Sequence, residues 1–317
     1  MDRQRALNHK IRNLIQSLLL IGGMTLLLAL SSLLLLGADY WWSVLFSIVF
    51  VLFLLPNASP YWLLRLYRAQ PLHPVQLPRH WQILKELSAR ANLAATPQLF
   101  WLPSRTLNAF AVGSSKHSAI AITDGLLQVL SDREMAGVLA HEISHIRNHD
   151  LRIMTLADLI TRLTHVLSLL AVFIFLLSLP FLLTGQMMIS VTGLLILTMA
   201  PSVNAMLQLG LSRIREFDAD LDAARLTQDP AGLASALSKI DPQHINWWQR
   251  IALPGYRDRQ PSILRSHPDT RERVERLLRL QQQQPAFAGE ELDPGEHPYP
   301  HIIIRKPGRG FFSGTWR

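Results

Sequence analysis

Charged side chains are missing from four long intervals of the chain, and that absence limits its possible folds more than any other feature of the sequence. Leu14 to Leu36 is the first, about 23 residues, enough at about 1.5 Å per helical residue to cross a hydrocarbon core of about 30 Å. Arg3, Arg5, Lys10 and Arg12 precede it. Leu36-Gly37-Ala38 mimics a signal-peptide cleavage site, but the apolar run exceeds a signal core and a second one follows at once, so the interval is read as an anchor. That second interval extends from Tyr40 to Leu64, with Trp41 and Trp42 at one end and Tyr61 and Trp62 near the other, where interfacial aromatics belong. Leu163 to Leu183 and Met187 to Leu211 are the third and fourth, joined by the uncharged turn Thr184-Gly185-Gln186. Pro201, Asn204 and Gln208 predict that the last part of the fourth leaves the membrane or faces a polar partner.

The intervals pair into two helical hairpins in a lipid bilayer. Only Asp39 lies between the first two, whereas Arg65, Arg68 and Arg79 follow them; Arg147, Arg152 and Arg162 precede the second pair, and Arg213 and Arg215 follow it. The positive-inside bias puts all these flanks in the cytoplasm. The formal net charge of +8 carries no basic stripe with interleaved aromatics, so no nucleic-acid partner is expected. Without cysteine there is neither a disulfide framework nor a thiolate ligand, and any metal site relies on histidine and carboxylate. The chain divides into a hairpin at 1–64, soluble segments at 65–162 and 212–284 flanking a hairpin at 163–211, and a tail at 285–317.

The first soluble segment reads as an amphipathic helix near Arg79 to Ala91, then short strands at Gln98 to Leu102, Asn108 to Gly113 and Ser118 to Thr123. They predict a small antiparallel sheet, whose exposed edge could accept an extended peptide by main-chain pairing or be an ordinary edge.

Next comes Ser131 to Asp150, SDREMAGVLAHEISHIRNHD. Ser131 and Glu134 form a capping-box pair, and Met135, Val138, Leu139, Ile143 and Ile146 supply an apolar face, so a helix is predicted. On it His141 and His145 stand one turn apart on one face, able to reach one metal ion, with Glu142 beside them. The spacing suits zinc-dependent hydrolysis, in which two neutral imidazoles hold the ion and the carboxylate takes a proton from the attacking water. Such a centre needs a third protein ligand, for which Glu216 is chosen. Asp220, one turn further, is placed to hydrogen-bond the far nitrogen of a ligating histidine. A solvated face paired with Arg213 or Arg215 is the other arrangement open to Glu216 and Asp220. His149 and Asp150 lie too far along the same helix to join the tetrahedron.

Helices are expected near Pro230 to Ile240 and Asp269 to Gln284, with Ser266-His267-Pro268 before the second. His267, held in a Pro-flanked turn, could donate to a developing oxyanion or be a cap or surface group. Trp247-Trp248 is a packing or membrane-surface element, and the tail after Gln284 is a hypothetical gate.

The order of Asn108-Ala-Phe-Ala-Val-Gly113, Ile122-Thr-Asp-Gly125, HEISH, Arg215-Glu-Phe-Asp-Ala-Asp220 and Ser266-His-Pro268 resembles the HtpX-like family of membrane-bound zinc metallopeptidases, distant relatives of the CAAX prenyl proteases. The likeness runs from about Leu14 to Leu280. It implies one zinc ion on His141, His145 and Glu216, with Glu142 as general base. Asn108, Ala109, Phe110 and Ala111 would border the substrate cleft, and His267 and Arg273 would orient substrate or stabilise the tetrahedral intermediate. The fold implied is mainly α with a small antiparallel β-sheet, an integral membrane protein with two helical hairpins and a zincin-like metallopeptidase domain. Its substrates would be misfolded membrane proteins at the cytoplasmic face of the bacterial inner membrane. Ser266 stands where the family shows Thr, and the tail after Gln284 has no counterpart. Prenyl-peptide cleavage is disfavoured, because the CAAX proteases have more than four spans.

Two rivals make different demands. A silent membrane scaffold keeping the metallopeptidase fold has no need of Glu142 beside the histidines. A metal transporter places its ligands inside the spans, which here are almost free of carboxylate and imidazole.

Overall fold

A computed structural model of the chain describes residues 3–37, 42, 61–114, 116–180, 191–240 and 270–283. Three of its helices are long and apolar enough to cross a membrane: α1 (Arg3–Leu36), α6 (Asp150–Ser178) and α7 (Val191–Thr227). They pack on one another, with Met24, Leu28, Ala157, Ile160 and Leu211 fully buried between them. Leucines 18, 19 and 26 of α1 and Phe173 and Leu177 of α6 stay exposed, as lipid-facing positions do. Most of the interval Tyr40 to Leu64, the turn at 184–186 and the tail after Gln284 lie outside the described residues.

The polar residues of the fourth interval find a polar partner. Asn204 Nδ2 donates to Thr164 Oγ1 at 2.7 Å and Thr161 Oγ1 donates to Gln208 Oε1 at 2.8 Å, cross-linking α6 and α7 inside the bundle. Pro201 does not end α7, which continues as one helix to Thr227.

The remaining elements in chain order are α2 (Tyr61–Leu66), β1 (Gln70–Pro71), α3 (Pro78–Arg90), β2 (Gln98–Leu102), β3 (Ala109–Gly113), β4 (Ser118–Thr123), α4 (Asp124–Val129), α5 (Asp132–Arg147), α8 (Pro230–Ile240) and α9 (Thr270–Gln283). The strands form one sheet in the order β1-β2-β4-β3. It is mixed rather than wholly antiparallel: β3 pairs antiparallel with β4, but β2 pairs parallel, Leu99 opposite Ile120. The chain between β2 and β4 includes β3 and returns β4 in the direction of β2, so the three strands do not form a meander. Alternation along the strands then separates two faces. Leu99, Ala111, Ile120 and Ile122 pack toward α3 and α5, while Phe100, Phe110, Val112 and Ala121 pack toward Leu64 and Tyr67.

Helix α5 is the central element of this soluble part. Ser131 caps it: its Oγ accepts from the Glu134 amide and the Glu134 carboxylate accepts from the Ser131 amide at 2.8 Å, a complete capping box. Gly137 lets α8 approach, since a Cβ there would lie 2.9 Å from Leu233 Cα.

Candidate metal centre

Helix α5 does not run on into the third interval. It stops at Arg147; Asn148 closes it and His149 takes a left-handed conformation, φ 58°. The chain turns there, so that Asp150 opens α6 beside the last turn of α5.

His141 and His145 point their Nε2 atoms at one spot, 3.1 Å apart, with ring planes nearly perpendicular. Glu216, on α7, brings Oε2 to 3.2 Å from His141 Nε2 and Oε1 to 3.7 Å from His145 Nε2. All three residues are buried or nearly so, and they are the one group of three potential ligands drawn together among the described residues. A tetrahedral zinc ion with bonds of about 2.0–2.1 Å holds its ligand atoms roughly 3.3 Å apart. The His141 Nε2 to His145 Nε2 and His141 Nε2 to Glu216 Oε2 spacings lie close to that value, so the donor set suits such an ion.

Each imidazole is gripped from behind by a carboxylate. Asp220 Oδ1 lies 3.1 Å from His141 Nδ1, and Asp150 Oδ2 lies 2.9 Å from His145 Nδ1. With Nδ1–H donated to the carboxylate, the Nε2 lone pair is free for a metal. Burial alone would lower the pKa of His141, but hydrogen bonds to Asp220 and Glu216 outweigh it and raise the pKa to about 10. That of His145 is raised too, Asp150 overcoming the effect of burial. The site draws in positive charge.

A guanidinium answers the carboxylates. Arg273 on α9 is 2 % exposed; its Nε and Nη2 both donate to Asp220 at 2.7 Å, and its Nη1 lies 3.1 Å from Glu216. Its own pKa is driven up by these partners against the effect of burial.

Glu142 faces the sheet edge. Its Oε2 accepts from the amide of Ala111 at 2.8 Å. Because main-chain groups of alternate residues point the same way in an antiparallel pair, Ala109, Ala111 and Gly113 turn outward and Phe110 and Val112 turn to β4. Asn108 pairs inward, accepting from the Thr123 amide at 3.0 Å. The Phe110 ring packs on the far face, edge-on to Tyr67, and its main chain turns to β4, so Phe110 presents neither at this edge. His267 lies outside the described residues.

Asp150 and Arg215 are what sequence reasoning missed. Counting along an unbroken helix places Asp150 beyond reach of the centre; the break at His149 brings it back. An Asn-His pair ahead of the acid was the only local sign.

The profile of Peptidase family M48 matches residues 76–281. The chain is 38 % identical over 236 residues to a protein named "Protease HtpX homolog" from Acaryochloris marina, covering 68 % of this chain and 77 % of that one. It is 33 % identical over 252 residues to one of the same name from Paraburkholderia phytofirmans, covering 74 % and 87 %. The solved structure of S. mikatae Ste24p aligns with a TM-score of 0.44 at 20 % identity, covering 85 % of this chain and 66 % of that one.

Proposed function

We propose that this chain, which belongs to peptidase family M48 and is a membrane-bound metallopeptidase, holds one zinc ion on His141, His145 and Glu216 and cleaves peptide bonds with Glu142 as general base. The observation that carries this reading is the convergence of one ligand atom each from His141, His145 and Glu216, all within 4.8 Å of one another. When bound, zinc supplies a Lewis acid that polarises the scissile carbonyl and acidifies the attacking water.

The chain's own groups do the rest. Asp220 and Asp150 hold both imidazoles in the tautomer that offers Nε2. The Ala111 amide fixes one oxygen of Glu142, leaving the carboxylate to take a proton from the attacking water and pass it to the leaving nitrogen. An extended substrate lies along the outward edge of β3, pairing with the main chain of Ala109 and Gly113 and reading many sequences without a pocket for each. Arg273 is committed to Asp220 and Glu216, so it serves the site by balancing buried carboxylates; His267 donates to the oxyanion.

The positive flanks of the spans support a site at the cytoplasmic face of a bacterial inner membrane. The family likeness supports misfolded membrane proteins as substrates. Metal analysis of purified protein, with cleavage assayed before and after chelation and restored by zinc, tests the reading. Proteolysis left unchanged by Glu142→Gln in a protein that still binds zinc would mean that the cleavage is not this chain's own, and would favour the silent scaffold instead.

A further inference from the structure

We infer that Asp150, braced by Arg215, is a positioning residue for His145 and that this pair sets the affinity of the centre for its metal. The inference rests on the metal reading above and adds two residues to it. Asp150 is 2 % exposed, with Oδ2 at 2.9 Å from His145 Nδ1 and Oδ1 at 3.3 Å from Arg215 Nη1. Arg215 is 8 % exposed and directly precedes Glu216 on α7.

Burying a carboxylate beside a membrane bundle is costly unless it is paired and hydrogen-bonded, and Asp150 has one partner of each kind. Its hydrogen bond to His145 fixes which ring nitrogen carries the proton and keeps the ring from rotating away from His141. Its ion pair with Arg215 ties that ring to the helix carrying Glu216. The arrangement parallels the one at His141, where Asp220 contacts both the imidazole Nδ1 and Arg273, although there the guanidinium also reaches His141 Nε2 at 3.4 Å. Each histidine therefore has its own acid and its own guanidinium, with α7 supplying one member of each set: Asp150 opens α6 and Arg215 lies on α7, while Asp220 lies on α7 and Arg273 on α9. Loss of a hydrogen-bonding group behind a metal-bound histidine weakens metal affinity by about 10–100-fold.

The test uses the full chain in detergent, loaded and stripped, and reads the zinc dissociation constant by competition with a chromophoric chelator, beside the visible spectrum of the cobalt-substituted protein and the unfolding midpoint of the stripped protein. Wild type, His145→Ala, Asp150→Asn, Asp150→Glu and Arg215→Lys are compared. Expected are a roughly 10–100-fold weaker affinity and an altered cobalt spectrum for Asp150→Asn, partial recovery in Asp150→Glu, and a smaller weakening in Arg215→Lys. A stripped-protein midpoint that falls while zinc affinity stays at the wild-type value marks a merely structural role and overturns the inference. Wild-type affinity in Asp150→Asn, while His145→Ala binds poorly, overturns the inference and leaves the metal reading standing. Equal binding by wild type and His145→Ala overturns the metal reading itself. If Asp150→Asn does not fold, Arg215→Lys decides, with unchanged affinity counting against the inference.

Discussion

Replacing Glu134 by glutamine should loosen helix α5 without touching His141, His145 or Glu216. The carboxylate is 4 % exposed and accepts from the Ser131 amide at 2.8 Å, Ser131 Oγ at 3.0 Å, Ser235 Oγ at 2.6 Å and Lys239 Nζ at 2.8 Å. It thus closes the capping box of α5 and pins α8 to it. Burial pushes its pKa up, but Lys239, Ser235 and Ser131 reverse this and bring it from 4.5 to about 2. That gap converts to roughly 3 kcal/mol, trimmed to about 2 kcal/mol by solvent around Lys239, whose side chain is 44 % exposed. Because the folded pKa lies below the unfolded one, the stabilisation is fully present above pH 4.5 and is lost as pH falls through about 2. Unfolding in detergent, followed by far-UV circular dichroism, should show Glu134→Gln melting roughly 4–8 °C below wild type at pH 7. The difference should narrow steadily below pH 4.5. Coincident melting curves at neutral pH, or a gap unchanged by acid, would refute the reasoning.

Gly137→Ala should destabilise by about 1–3 kcal/mol, because the new methyl meets Leu233 main chain, which cannot swing aside as a side chain would; chemical denaturation measures it. Ser131→Ala should cost about 1 kcal/mol in the same assay, by freeing the Glu134 amide. Zinc affinity should rise with pH through neutrality, since both imidazoles have raised pKa values in the stripped protein and a proton must leave before the ion binds; isothermal titration in two buffers of different ionisation heat should count the protons released. Asn204→Val should lower bundle stability by about 0.6 kcal/mol through loss of the Thr164 bond, read from thermal unfolding with zinc bound.

Patterns governed by short-range geometry were legible in the sequence. The capping box at Ser131, the one-turn spacing of His141 and His145 and the three strands follow from periods that a helix or strand imposes on its own residues. Glu216 and Asp220 were legible as a pair because residues four apart share a helix face, and the structure brings both to His141. The parallel pairing of β2 with β4 was not legible, because alternation fixes which face a residue occupies and says nothing of strand direction. Asp150 was hidden by one left-handed residue, His149, which no helix period announces. Lys239 and Ser235 were equally silent, since the contact between α5 and α8 depends on Gly137 and on packing across about a hundred residues of chain.

Helix α7 runs unbroken for 37 residues, about 55 Å, from Val191 to Thr227, with Leu195 exposed near one end and Asp220 near the other. One rigid rod therefore has its upper part in the acyl chains and its lower part delivering Glu216 to the histidines, while α6 starts from the very aspartate that steadies His145. Any tilt imposed by a thicker or thinner bilayer acts as a lever on the spacing between Glu216 and the two histidines. Hydrolysis should then vary with acyl-chain length in reconstituted vesicles, making the lipid a working part of the catalyst.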